Sequence, residues 1–403
     1  MSTTRLSALA ALTASALAIP VDTPWAQDAA KASTDVAGRP ADLSYRYSSY
    51  REGDLPSDKT AGAQRERYKV DSHYVRAAKL LGNGIDLSAD LAVETMSGAS
   101  PWFITPGPNG RPLQVMSGAS IDDDRTALRL RAGKTFGHYD AVLNLSLSRE
   151  NDYRSNGLAL EIGRAFNNQL DTLSASLAYT DNKLKPTDGG SAQFPTRITR
   201  ADNDEVALSI GYTRVLGESA QIQTSITYSW LDGYLSDPYK LAYVAGNLLP
   251  DARPDGREEL VWLTRLRYFV PSAGAALHLD YRYFRSDWKT RSHTVEAAWY
   301  QPLPNDWQLV PRLRWYSQSQ AYFYEPYYNT ARADFFQSSD YRLSPYGALS
   351  FSLEASKVIE GWRFSARFEG YDSDGSYAVG SVKTENPGLV DFKVFSLGIA
   401  KSF

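Results

Sequence analysis

The sequence has no cysteine, only three methionines and only four histidines among its 403 residues. A chain without cysteine is held by no disulfide, which fits an exported protein that needs none. Its 43 basic and 46 acidic residues leave a formal net charge of −3, which excludes a strongly basic nucleic-acid binder. After the first residues no apolar run approaches the ~18 residues a membrane-spanning helix requires. No glycine-rich phosphate loop follows a strand and opens a helix, so nucleotide chemistry is not indicated. Mean hydropathy is −0.40, a value that looks soluble. A barrel with a polar lumen gives the same value, because its lipid-facing and lumen-facing residues alternate.

What is present begins with a secretory pattern. Arg5 supplies the positive charge, and Leu6 to Ile19 form an apolar stretch too short to span a bilayer. Residues 1–26 are therefore expected to be a signal peptide cleaved after Ala18 or Ala26, and 27–41 a periplasmic N-terminal segment.

From residue 42 onward the period is two. Ile85, Leu87, Ala89, Leu91 and Val93 alternate with Asp86, Ser88, Asp90, Ala92 and Glu94. The pattern recurs at Ala141, Leu143, Leu145 and Leu147, at Ile222, Thr224, Ile226, Tyr228 and Trp230, and at Leu277, Leu279, Tyr281 and Tyr283. An apolar lipid face and a polar lumen face on one strand have this signature. It predicts strands near 42–51, 67–80, 85–96, 125–136, 139–149, 153–166, 170–181, 204–216, 220–231, 257–270, 274–286, 290–301, 306–319, 339–356, 362–372 and 391–403. Short turns fall at 81–84, 137–138, 167–169, 217–219, 271–273, 302–305 and 357–361, and most of the remaining connections are long. The fold class is therefore all-β: a single transmembrane antiparallel up-and-down barrel of about sixteen strands over 42–403, with short periplasmic turns and long extracellular loops. Both termini are expected in the periplasm. The aromatic content of 12% suits two interfacial girdles.

The chain closes on Phe395, Leu397, Ile399, Lys401 and Phe403. A final strand ending on an aromatic residue resembles the assembly signal of Gram-negative outer-membrane barrels, from which Lys401 departs at a site that is usually apolar. The resemblance implies export to the bacterial outer membrane. The partners it implies are outer-membrane lipid, lipopolysaccharide and the barrel-assembly machinery, the last engaged through the strand ending at Phe403. Oligomeric state is left open.

The same alternation assigns the lumen. Arg129, Arg131, Arg265, Arg267, Arg282, Arg312 and Arg314 are expected to line it, with Asp86, Asp90 and Glu94 on another wall. Opposed charges of this kind either set a transverse field that biases ion passage or pair across neighbouring strands. The segment 97–124 is the best plug candidate. Its Pro101, Pro106, Pro108 and Pro112 are expected to resist strand formation.

Several stretches are similar to an uncharacterised family of proteobacterial outer-membrane barrels, known as a domain of unknown function. They are the run from Trp230 through Asp232, Tyr234 and Asp237 to Lys240; Tyr281-Arg282-Tyr283 with Trp288; Arg291-Ser292-His293-Thr294-Val295-Glu296; Trp307, Pro311 and Arg314 to Gln318; and Ser97 to Pro101. The resemblance covers the chain from about residue 42 and implies an exported barrel without assigning an activity. Asp232, Tyr234, Asp237, Trp288, His293 and Tyr324 are expected to converge at the extracellular rim. There they either bind a ligand beside the aromatic-dense loop from Tyr322 to Phe336 or anchor loops to each other.

No catalytic residue, metal site or cofactor is expected. Arg154-Ser155-Asn156-Gly157 looks like part of the outer-membrane phospholipase motif, but that family places His two residues before the Ser, where Tyr153 stands here. Asp287 with His293 is the remaining acid–base pairing at the mouth. Asp372 to Ser376 hints at a calcium loop, yet Lys383 occupies the position that needs Glu. The expected function is a passive, porin-like channel for small polar or charged solutes. The alternatives are a closed barrel acting as a surface-binding or export partner and, more remotely, a hydrolase.

Overall fold

The computed structural model describes residues 41–81, 84–117 and 121–403. The expected signal peptide and periplasmic segment therefore lie outside the described residues, apart from Ala41.

Sixteen antiparallel strands close into one barrel. In barrel order the first eight are β1 (Asp42–Glu52), β2 (Lys69–Leu81), β3 (Ile85–Gly98), β6 (Ile121–Phe136), β7 (Tyr139–Arg149), β8 (Tyr153–Phe166), β9 (Asp171–Leu184) and β10 (Ala201–Val215). The ring continues with β11 (Ala220–Gly233), β14 (Gly256–Val270), β15 (Ala275–Ser286), β16 (Arg291–Leu303), β17 (Trp307–Gln318), β18 (Tyr346–Ile359), β19 (Trp362–Asp374) and β20 (Phe392–Ser402). β20 pairs with β1 from Ser402 opposite Asp42 to Phe392 opposite Glu52, which removes the last free edge.

Alternation decides which way each side chain points. Leu87, Leu91 and Val93 of β3 are exposed on the outside, while Ser88 and Asp90 between them are buried on the inside. The exposed phase continues through Leu143, Leu158, Leu177, Ile210, Ile226, Leu313, Phe368 and Leu397. In water this belt would be an apolar patch far beyond what a soluble surface carries; in hydrocarbon each leucine gains on the order of 1.5–3 kcal/mol. Aromatic residues border it at both ends. Tyr179 and Trp230 lie toward the long connections, and Phe136, Tyr139, Trp307 and Phe403 toward the short ones. The departure at Lys401 has a local cause: its Nζ lies 4.6 Å from the Trp362 ring centre and 5.3 Å from that of Phe403. The ammonium sits on the aromatic girdle rather than in hydrocarbon.

The two ends of the barrel differ. At the turn end, Glu360 and Gly361 both take positive φ, 50° and 78°, as a two-residue hairpin turn demands. At the loop end, two further hairpins stand on the barrel, β4 (Pro101–Pro106) with β5 (Pro112–Met116) and β12 (Leu241–Val244) with β13 (Asn247–Pro250). The first corrects the expectation that prolines keep 97–124 free of strand. Pro101, Pro106 and Pro112 stand at the ends of a two-stranded ribbon, where a missing N–H breaks no ladder. The strand expected at 339–356 is also displaced. β18 starts only at Tyr346, because Asp340 accepts a hydrogen bond from Arg342 N at 3.1 Å and turns the chain into a short helical turn at Tyr341–Leu343.

Candidate functional site

Ten residues expected to line the lumen all lie on its inward face. On β3, each acid meets an arginine of a flanking strand. Asp86 pairs with Arg131, Asp90 with Arg76 at 3.2 Å, and Glu94 with Arg125 at 2.9 Å. The acidic wall is thus neutralised locally. Across the ring, Asp280 takes Arg267 as well as Arg265, the latter at 3.8 Å, and Glu296 takes Arg312 at 3.5 Å. Among the described inward positions of β14 to β19, eight arginines (257, 265, 267, 282, 312, 314, 363, 367) face five acids (259, 280, 296, 354, 369). This wall therefore keeps an excess of positive charge. Arg129 and Arg314 point inward and are nevertheless exposed, which marks open space beside them.

The wall from β7 to β11 has another chemistry. Its inward residues include Asn144, Ser146, Ser174, Ser176, Ser209, Thr227 and Ser229. They hydrogen-bond each other, as Thr227 Oγ1 does to Ser209 Oγ at 3.0 Å. Short side chains leave the lumen wide on this side.

The mouth is bridged by loops from distant parts of the ring. The 99–120 loop rises between the third and fourth strands, 234–255 between the ninth and tenth, and 319–345 between the thirteenth and fourteenth. Lys240 Nζ donates to Pro101 O at 3.0 Å, and Tyr327 Oη to Gly110 O at 2.5 Å. Segments anchored six strands apart can touch only by crossing the opening. Arg67 extends the cap from the 53–68 loop. It is held by Glu52 at 2.9 Å and by the Gly388 carbonyl at 3.0 Å.

A dry ionic cluster fastens the cap. Asp340, with a fully covered side chain, receives Arg253 at 3.0 Å and Arg342, and Lys240 stands 4.0 Å away. Arg342 also reaches Asp237 at 3.0 Å, and Arg253 reaches Asp251 at 2.7 Å. Burial alone would raise the Asp340 carboxyl, but Arg342, Lys240 and Arg253 outweigh it and hold it well below the usual carboxylate range. Burial pulls the Lys240 ammonium down despite its acidic neighbours, and burial raises Asp251 against the opposing pull of Arg253.

The six residues expected at the rim separate into three groups. Tyr234 and Asp237 belong to the cap. Trp288 and Tyr324 are buried in its core with Phe323 and Leu343. Trp288 donates to Gly256 O at 3.0 Å, and Tyr324 Oη accepts from Asn386 at 2.9 Å. Asp232 and His293 share the outward phase of Trp230 and Val295, on the far side of the wall. The six therefore do not converge on one surface. His293 shares a 2.9 Å hydrogen bond with Tyr281 rather than with Asp287, whose carboxylate accepts from Glu258 N at 3.1 Å. His73 likewise pairs with Tyr45, and His278 lies inside against the Tyr300 ring. Tyr153, at the position of the missing histidine, donates to Asn182 at 2.7 Å.

One cluster escaped sequence reasoning. Asp123, Glu150 and Asp152 bring carboxylate oxygens within 4.8 Å of one another at the loop end. Burial, with Asp123 and Asp152 adding to it and Arg125 opposing, pushes the Glu150 carboxyl up to about 8. Asp123 and Glu150 are far apart in sequence and meet only because β6 and β7 form a hairpin whose open ends they mark.

The sequence model for a protein of unknown function (DUF3570) matches residues 9–386. No curated protein matches the chain. Solved structures with a similar chain path include a bacterial polysaccharide outer membrane secretin, at 8% identity over 90% of this chain and 98% of that one, TM-score 0.47. OccK9 (OpdG) of Pseudomonas aeruginosa aligns at 10% identity over 91% and 99%, TM-score 0.42. A BenF-like porin from Pseudomonas fluorescens Pf-5 aligns at 9% identity over 91% and 100%, TM-score 0.43.

Proposed function

We propose that this chain, which belongs to the DUF3570 family of proteins of unknown function, is a passive conduit for small polar or charged solutes in the bacterial outer membrane. The observation that carries this reading is the water-accessible interior beside Arg129 and Arg314. A filled barrel would cover both. The arginine excess on β14 to β19 favours anionic solutes, and the largely hydroxyl-lined wall opposite, whose inward acids include Glu161 and Glu205, supplies width. In this reading the apolar belt sits in lipid and lipopolysaccharide, and the strand ending at Phe403 engages the assembly machinery. Loops face the cell exterior, turns face the periplasm, and no catalytic step is involved.

The test is single-channel recording of the refolded barrel in a planar bilayer. Wild type is expected to open in stable steps with anion preference. The triple variant R265Q/R312Q/R314Q is expected to lose roughly threefold in anion-to-cation permeability, about one kT of local potential. An unchanged reversal potential would reject the charge assignment.

A second reading rests on the loops that cross the mouth. If the cap seals it, the barrel acts as a surface-binding or export partner. Silence of well-folded protein in good bilayers would favour that role.

A further inference from the structure

Asp123, Glu150 and Asp152 meet where the loop end of β6 passes the short 150–152 connection, and their carboxylates are deeply covered. Asp123 is 2% exposed, Asp152 7%, and the Glu150 side chain not at all. The surroundings orient them. Asp123 Oδ1 accepts from Asn151 Nδ2 at 2.6 Å and from Asp124 N at 3.0 Å, and Asp152 Oδ2 accepts from the Tyr239 hydroxyl. Asp123 Oδ2 and both Glu150 oxygens are left buried without a hydrogen-bond donor. Arg125 is the neighbouring cation, but its Nε stands 3.7 Å from Glu150 Oε1. It is engaged instead by Glu94 at 2.9 Å and Ser148 at 3.1 Å.

Buried carboxylate oxygens that lack donors are strongly disfavoured as anions unless a proton or a cation neutralises them, and a divalent cation can satisfy all three carboxylates at once. We propose that Asp123, Glu150 and Asp152 form a binding site for a hard divalent cation of the calcium or magnesium class. The donors are all carboxylate oxygens, which such ions prefer to imidazole or thiolate. Their mutual spacing, within 4.8 Å, suits oxygens that surround one ion at about 2.0–2.6 Å each. Asn151, Asp124 N and Tyr239 act as the outer shell that fixes the ligand directions. Tyr239 belongs to the 234–255 loop, so the ion would fasten the β6–β8 corner of the barrel to the cap.

The test uses the full barrel, refolded in detergent free of lipopolysaccharide and stripped with a chelator, then equilibrated with radioactive calcium. One calcium per barrel is expected, with added magnesium competing if the site accepts the smaller ion. Glu150→Gln with Asp123→Asn should weaken binding at least tenfold. Heat-modifiable gel migration establishes that both proteins remain folded barrels. Calcium should also slow cleavage of the 234–255 loop in wild type and leave the double variant unaffected. Absence of binding by either ion in folded wild type overturns the proposal without recourse to any variant. Equal binding in the folded double variant overturns it as well, because the ion would then sit elsewhere.

Discussion

The molecule uses aspartate–arginine pairs in two places that differ in solvation. In the lumen, Asp86 and Arg131 meet with side chains 43% and 35% exposed. In the cap, Asp340 meets Arg253, Arg342 and Lys240 with its own side chain 0% exposed. The chemistry is the same and the energetic meaning is not. A wet pair is screened and contributes about 0–1 kcal/mol. Removing one partner of a dry cluster leaves uncompensated buried charge and costs about 3–5 kcal/mol. The exposed lumen charges, such as Asp86 and Arg131, are therefore free to serve passage, while cap charges hold three distant loops in one arrangement.

The largest expected effect follows from breaking the dry side. Asp340→Asn leaves Lys240, Arg253 and Arg342 around a neutral amide. Cap stability should fall by about 3–5 kcal/mol, read as faster proteolysis of 234–255 and 319–345 with the barrel still heat-modifiable. Channel steps should become larger, because the loops that cross the mouth lose their common anchor.

Acid should act on the same contrast. The Asp340 carboxyl is held well below its ordinary value of 3.8, so the stability it contributes is fully present above that value. It is lost as pH falls through the depressed folded value. The Asp340 contribution to loop protection, read as the difference between wild type and Asp340→Asn in proteolysis with an acid-active enzyme, should be constant from pH 7 to about 4 and disappear only in stronger acid.

The smallest effect is expected in the lumen. Asp86→Asn removes one wet partner of Arg131 and should change thermal stability by no more than about 1 kcal/mol. Calorimetry that showed a loss as large as that of Asp340→Asn would erase the distinction between the two regions.

Much of the barrel was legible because period two is a strong signal when one face meets lipid. All sixteen strands stand close to their expected places, and β18 is the main displacement. There Asp340 binds its own backbone two residues on, a local competition that alternation cannot reveal. The ends of the strands were read less well. The phase that puts Trp230 outside also puts Asp232 outside, and Val295 does the same for His293, so their separation from the rim was already written in the period. The cap was not legible. Lys240 with Pro101, or Tyr327 with Gly110, are contacts between loops rooted six strands apart, and nothing local in either segment names its partner. Aromatic density from Tyr322 to Phe336 was visible, but density alone does not distinguish a binding surface from the buried core that Phe323 and Tyr324 form.

Paired single-channel recordings of wild type and Asp340→Asn test the central claim most directly. A conduit narrowed by an ionic cap predicts open steps in wild type, larger steps in the variant, and the same anion preference in both. Silence from both folded proteins would contradict it and leave a closed barrel.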